Sequence, residues 1–152
     1  MILFWCVSLF VVFWIGIVIV NSLTSPPDNL GVTAGQLNPC PASPNCVCST
    51  DPSVSHQITP LAFTDSSEQA RQRLVTILEQ YPGCQIVQSE EHYLQAEFRT
   101  RWLRFVDDVE FLIEPRQNVI QVRSASRVGY SDLGTNRKRI EAIRQKFAQS
   151  TP

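Results

Sequence analysis

The stretch Leu103–Ser126, "LRFVDDVEFLIEPRQNVIQVRSAS", decides how the rest of the chain is read. Two runs within it, Leu103–Glu114 and Asn118–Ser126, alternate apolar and polar side chains, the period of strands that lay one face on a core. Pro115 ends the first run, and Pro115-Arg116-Gln117-Asn118 supplies the turn. That turn sets Ile113 opposite Ile120, Phe111 opposite Val122, Val109 opposite Ser124 and Glu110 opposite Arg123. One face of the hairpin collects the apolar residues, and the other places Glu110 beside Arg123 as a cross-strand ion pair.

Working backward, Cys84–Ser89 and His92–Thr100 have the same period and complete four candidate strands. Continuing the pairing sets Phe98 opposite Phe105, Ala96 opposite Asp107 and Leu94 opposite Val109. Asp107 then sits on the apolar face. A carboxylate there needs a cation, and Arg137 or Arg127 is the expected partner. Two amphipathic helices flank the strands. The first begins at Asp65 with Glu68 three residues on, carries Ala70, Leu74, Ile77, Leu78 and Tyr81 at helical spacing, and closes on Gly83. The second begins at Asp132 and carries Leu133, Ile140, Ile143 and Phe147. The fold class predicted is α+β, a four-stranded antiparallel sheet with two helices packed on one face.

The N-terminal segment reads differently. Residues 2–20, "ILFWCVSLFVVFWIGIVIV", carry no charge, and at helical rise they reach roughly 29 Å, near the thickness of a bilayer core. A transmembrane helix that stays as a signal anchor is expected there. A cleaved signal peptide is the alternative, but no basic residue precedes the run and no small-residue cleavage motif directly follows it. From Asn21 to Thr64 there is no Lys or Arg, so this flank can be translocated. Residues 1–21 are thus read as an anchor, 22–60 as a spacer and 61–150 as the folded domain. The expected location is a single-pass membrane protein with its domain on the extracytoplasmic side, in the periplasm or a thylakoid lumen.

Seven of the ten prolines fall in the spacer, which suits a semi-rigid connector and no long helix. Its "NPCPASPNCVCST" motif spaces cysteines C-x5-C-x-C. Paired C-x2-C knuckles are lacking, and His56 and His92 are the sole histidines, so no metal site is expected. A Cys40–Cys46 disulfide is expected, with Cys48–Cys84 as a candidate second bridge and buried free thiols as the alternative.

Charge is divided along the domain. Residues 65–115 hold five arginines against ten carboxylates, whereas residues 116–152 hold six arginines and two lysines against Asp132 and Glu141. The cationic part contains "VRSASRVGYSDLGTNRKRI", residues 122–140, which crosses from the last strand into the last helix. Two readings of it stand side by side. In one, Arg123, Arg127, Tyr130, Ser131, Asn136 and Arg137 form a small-anion site, aided by the helix start. In the other, Asp107, Glu110, Arg123, Arg127 and Arg137 are structural ion pairs, Asp132 caps the helix, and the glycines serve the turn.

Three motifs, "CPASPNCV", "RFVDDVEFLIEP" and "VRSASRVGYSDLGTNRKRIEAIR", resemble the domain-of-unknown-function 1499 family of bacteria, cyanobacteria and plastids. The likeness covers about residues 38–144. It implies that Cys40, Cys46, Asp107, Asp108, Arg123, Ser124, Ser126, Arg127, Gly129, Tyr130, Asp132, Gly134, Asn136, Arg137 and Arg139 are motif positions. Cys48 departs from the serine more usual after "PNCV". The resemblance implies no established activity, and its distribution makes a photosynthetic or envelope membrane-protein complex the expected client.

No nucleophile elbow, phosphate loop, dinucleotide fingerprint or zinc-protease motif occurs in the sequence. His56 and His92 read as surface residues, and Asp107 and Asp108, adjacent on a strand, point to opposite faces. The expectation is a non-catalytic binding or assembly module without a cofactor. The alternative is a small-anion binder or an enzyme using the arginine, serine and tyrosine cluster. A net charge of −1 argues against nucleic acid as partner. Arg99, Arg101, Trp102 and Arg104 form a basic hairpin tip that suits either lipid headgroups and a membrane partner or plain solvent.

Overall fold

The computed structural model describes residues 2–150, with the side chains of residues 2–7 and 10 left aside. Helix α1 spans Ile2–Ser22, α2 Ser67–Glu79 and α3 Thr135–Gln149. Four long strands follow α2: β5 (Cys84–Ser89), β6 (Tyr93–Arg99), β7 (Val106–Glu114) and β8 (Val119–Ser126). The Pro-rich segment adds three short ones, β1 (Val32–Thr33), β2 (Gln36–Leu37) and β3 (Cys46–Cys48), and β4 (Leu61–Ala62) comes just after it. The main sheet has six antiparallel strands, in which β3 and β4 both pair with β8 and the path continues through β7 and β6 to β5. β1 and β2 form a separate two-stranded ribbon.

The predicted four-stranded sheet is therefore corrected to six strands. β8 would otherwise present an open edge, and two short pieces fill it, Cys46–Cys48 of the Pro-rich segment against Arg123–Ala125 and Leu61–Ala62, just after that segment, against Val119–Ile120. Two and three residues are too short to show a period, which is why the sequence pattern passes over them.

The predicted transmembrane helix is corrected as well. The apolar N-terminus does form α1, but no helix among the described residues is long and apolar enough to cross a membrane. The polar end of α1 belongs to the domain: Asn21 Nδ2 donates to the Leu103 carbonyl at 2.7 Å. Leu9, Val12 and Phe13 are exposed.

The central hairpin pairs as predicted, with Glu110 opposite Arg123 and Phe111 opposite Val122. The β6–β7 register differs by two residues, Ala96 facing Val109 and Phe98 facing Asp107. The hairpin tip that carries Arg101 and Trp102 is wider than the predicted pairing implies, a loop closed by the Thr100 amide donating to the Phe105 carbonyl at 2.9 Å. Arg104 takes a left-handed conformation, φ 57°, to complete it. A slip of two keeps every side chain on its predicted face.

One face of the sheet packs on α2 and α3. Leu74 and Leu78 of α2 and Ile140, Ile143 and Phe147 of α3 meet Leu94, Val109, Phe111, Ile120 and Val122 in one core. Helix α2 starts one residue later than predicted, with Ser66 as N-cap and Gln69 closing the capping box. Helix α3 starts at Thr135, so Leu133 lies outside it and is exposed. The second face is polar but equally covered, by residues 21–40: Leu37 packs with Cys48, Tyr93 and Leu112, and the Gly31 amide donates to Glu110 at 2.6 Å.

The turn from α2 into β5 depends on Gly83, at φ +76°, where a Cβ would stand 2.5 Å from the Arg99 carbonyl oxygen. Gly83→Ala therefore combines left-handed strain with a backbone clash and should cost about 1–3 kcal/mol in urea denaturation. A neutral result would mean that the turn moves freely away from β6.

Candidate functional site

The six residues of the predicted anion site do not converge. Arg123 and Arg127 lie on the sheet face opposite α3, Asn136 lies in the core between α3 and β8, and Tyr130, Ser131 and Arg137 lie at the surface. Arg123 is 1% exposed and donates to Glu110 at 2.7 Å. The same carboxylate accepts the Tyr93 hydroxyl at 2.8 Å. Burial, reinforced by the Glu110 charge, pushes the Tyr93 hydroxyl well above the usual tyrosine value.

Arg127 grips Asp108 with two donors at 2.8 and 2.7 Å and reaches Glu97 and the Thr24 carbonyl as well. The Asp108 hydrogen bonds, with those to Glu97, raise the Arg127 guanidinium above its ordinary value. At Glu97, burial pushes the carboxyl up, but the Arg127 hydrogen bond and the charges of Arg127 and Arg99 outweigh it, and the net direction is down. A depressed folded value contributes stability above the unfolded carboxyl's value, about 4.3, and loses it as pH falls through the lower folded value. The melting temperature should hold near neutrality and drop below about pH 4, and Glu97→Gln should shrink that acid loss. An unchanged acid limb in Glu97→Gln would remove Glu97 from the account.

Asp107 has its cation, and it is Arg139 rather than Arg127 or Arg137. Arg139 also donates to Asn136 Oδ1 at 2.7 Å and to Ser124 Oγ at 3.3 Å, and its guanidinium lies 4.8 Å from the Phe98 ring centre. Asn136 accepts the Ser124 hydroxyl at 2.6 Å and donates to Ser126 Oγ and the Asn45 carbonyl, both at 3.0 Å. This network joins β7, β8, α3 and the segment before β3. Residue spacing held the clue: Asn136 and Arg139 are three apart and share a helix face with Ile140 and Ile143, which points inward. Arg137 points outward and donates to the Ser55 carbonyl at 3.2 Å.

Helix α3 has no need of an external anion at its start. Asp132 accepts the Gly134 and Asn136 amides at 3.0 and 2.7 Å. Two cavities open beside it and share Thr100 and Thr135. The first, about 310 Å³, is lined by Arg99, Lys138 and Arg139, with Tyr81 and Phe98 as apolar wall. The second, about 260 Å³, is lined by Asp107, Ser126, Ser131 and Asp132. Arg99 pairs with Glu97, whereas the Lys138 ammonium has no partner among the described residues. Sequence reading missed Lys138 because its neighbours across the groove come from the distant end of β6.

The expected Cys40–Cys46 disulfide is present, with Cα atoms 5.7 Å apart. The second bridge is not: Cys48 is a buried free thiol, and Cys84 is free with its thiol pushed up to about 11 by burial against the opposing charge of Arg139. His92 is at the surface, but His56 is buried beside Asp51, Nδ1 to Oδ1 3.7 Å. At the β6–β7 tip Trp102 is exposed, with Arg101 lying 5.2 Å from its ring centre.

No curated protein and no solved structure matches this chain. One family model does match, over residues 36–147, and those residues hold the six-stranded sheet, α2, the disulfide and most of α3. By that match the chain belongs to the family described as protein of unknown function (DUF1499).

Proposed function

We propose that the domain is a non-catalytic binding module that works on the oxidising, extracytoplasmic side of a cell and holds a small phosphate- or carboxylate-bearing molecule against Lys138. The observation that carries this reading is the 310 Å³ cavity, where Arg99, Lys138 and Arg139 converge beside the hydroxyls of Thr100 and Thr135. Its lining contains neither a histidine nor a carboxylate, so it is suited to hold an anion rather than to move a proton. Arg139 is committed to Asp107, which leaves Lys138 and the outer side of Arg99 as the binding cations. Tyr81 and Phe98 meet edge to face, their ring centres 5.3 Å apart, and give an apolar body somewhere to rest. The compartment is supported by the Cys40–Cys46 disulfide, a bond that persists outside the reducing cytosol.

Inorganic phosphate and succinate serve as probes in thermal melting of the full chain. Either anion should raise the melting temperature of the wild type, in the logarithmic manner of a ligand that binds only the native state. Because Lys138 is exposed, Lys138→Glu should leave the unliganded protein within about 0.5 kcal/mol of wild type. That variant should lose the anion shift. A shift that survives in Lys138→Glu, or no shift in the wild type, contradicts the site.

A further inference from the structure

The ion pair of Asp107 and Arg139 divides the two cavities at the start of α3. Arg139 lines the 310 Å³ cavity assigned to the anion, and Asp107 lines the 260 Å³ cavity beside it. Thr100 and Thr135 belong to both, so one molecule can reach from the first into the second.

The second cavity holds hydrogen-bonding capacity that the protein leaves unused. Asp107 is buried, its side chain 5% exposed, and it accepts from Arg139 through Oδ2 alone. Its Oδ1 has no donor among the described residues, a costly state for a buried carboxylate oxygen unless a donor arrives from outside the fold. Three hydroxyls show the complementary gap. Thr100 Oγ1 accepts the Phe105 amide at 2.9 Å, Ser126 Oγ accepts Asn136 Nδ2 at 3.0 Å, and Ser131 Oγ accepts the Leu133 amide at 3.3 Å. Those bonds fix the oxygens, while the hydroxyl protons have no acceptor among the described residues. Asp132 offers nothing comparable, since each of its oxygens already takes an amide at the start of α3.

The missing partner must therefore donate to Asp107 and accept from the hydroxyls. An ammonium only donates, and it would approach a carboxylate that Arg139 already neutralises. An alcohol does both. Phe105 and Val128 add apolar wall for the C–H face of such a body. On the anion side, Lys138 and the outer side of Arg99 act together, which suits the roughly two negative charges of a phosphomonoester better than the single charge of a carboxylate or a lipid phosphodiester.

Building on the Lys138 anion site, we propose that the two cavities form one site for a phosphorylated polyol. Its phosphomonoester rests on Lys138, and its hydroxyls lie between Asp107 and the side chains of Thr100, Ser126 and Ser131.

Calorimetric titration of the full chain with glycerol 3-phosphate, n-propyl phosphate and inorganic phosphate tests this. Propyl phosphate keeps the carbons and the phosphate and lacks only the hydroxyls. Glycerol 3-phosphate should bind at least about tenfold tighter than propyl phosphate. Ser131 is exposed and lines the second cavity alone, so Ser131→Phe should fold, abolish that preference and leave inorganic phosphate binding unchanged. If inorganic phosphate binds while the two esters bind equally, the polyol is overturned and the Lys138 site stands. If none of the three binds, both are overturned. A preference that persists in Ser131→Phe also overturns the polyol, as does glycerophosphoglycerol, a soluble headgroup diester, binding as tightly as the monoester.

Discussion

Glu110→Ala should lower the unfolding free energy by about 3–5 kcal/mol, the cost of stranding a buried charge. Three groups lose their acceptor at once: the Arg123 guanidinium, the Tyr93 hydroxyl and the Gly31 amide. Arg123 cannot turn to solvent, since it is 1% exposed beneath the segment of residues 21–40. The Gly31 contact adds a second consequence, because it tethers that segment to the sheet. Amide exchange around residues 29–38 should therefore accelerate in Glu110→Ala even at temperatures where the helical core stays closed. Urea unfolding followed by far-ultraviolet circular dichroism measures the first effect. A loss below about 1 kcal/mol would mean that the pair behaves like a surface bridge and that the covering segment is loose.

The other large effect is expected at Arg139. Arg139→Met removes the cation from Asp107 and a donor from both Asn136 and Ser124, all inside the interface of α3 with the sheet. The expected cost is again about 3–5 kcal/mol. Asp107→Asn alone should also destabilise, and Asp107→Asn with Arg139→Met together should cost less than the two added, by more than about 1 kcal/mol. The same cycle between Asp107 and Arg127 should show no coupling of that size, because Arg127 serves Asp108 and Glu97 on the opposite face. A reversed pattern, coupling to Arg127 and none to Arg139, would contradict the assignment of the two arginines.

The readable parts of this fold are those in which hydrophobic period and turn chemistry agree. Between Leu103 and Ser126 an alternating pattern meets one Pro-containing turn, so pairing and facing both follow. The β6–β7 register was less legible, since nothing in Arg101-Trp102-Leu103-Arg104 announces a left-handed residue at Arg104. One of the six main-sheet strands lies in the Pro-rich segment and another just after it, yet both are set by an edge of β8 waiting for partners and not by any pattern of their own. Covering the polar face explains a further gap: Glu110 and Arg123 look like a surface pair in sequence, and only the docking of residues 21–40 buries them. At the site, charge accounting marked the arginines as important and could not separate those pointing inward from Lys138, which points out. His56 was the sharpest miss, for its carboxylate partner and its sulfur neighbour come together through a loop with no recognisable spacing.

The measurement closest to the proposed function is a titration of the ¹⁵N-labelled full chain with inorganic phosphate, followed amide by amide. Saturable shifts centred on Thr100, Thr135 and Lys138, absent in Lys138→Glu, are the expected result. Shifts centred instead on Arg127–Ser131, or none that saturate, would contradict the assignment of the binding site to the groove between β6 and α3.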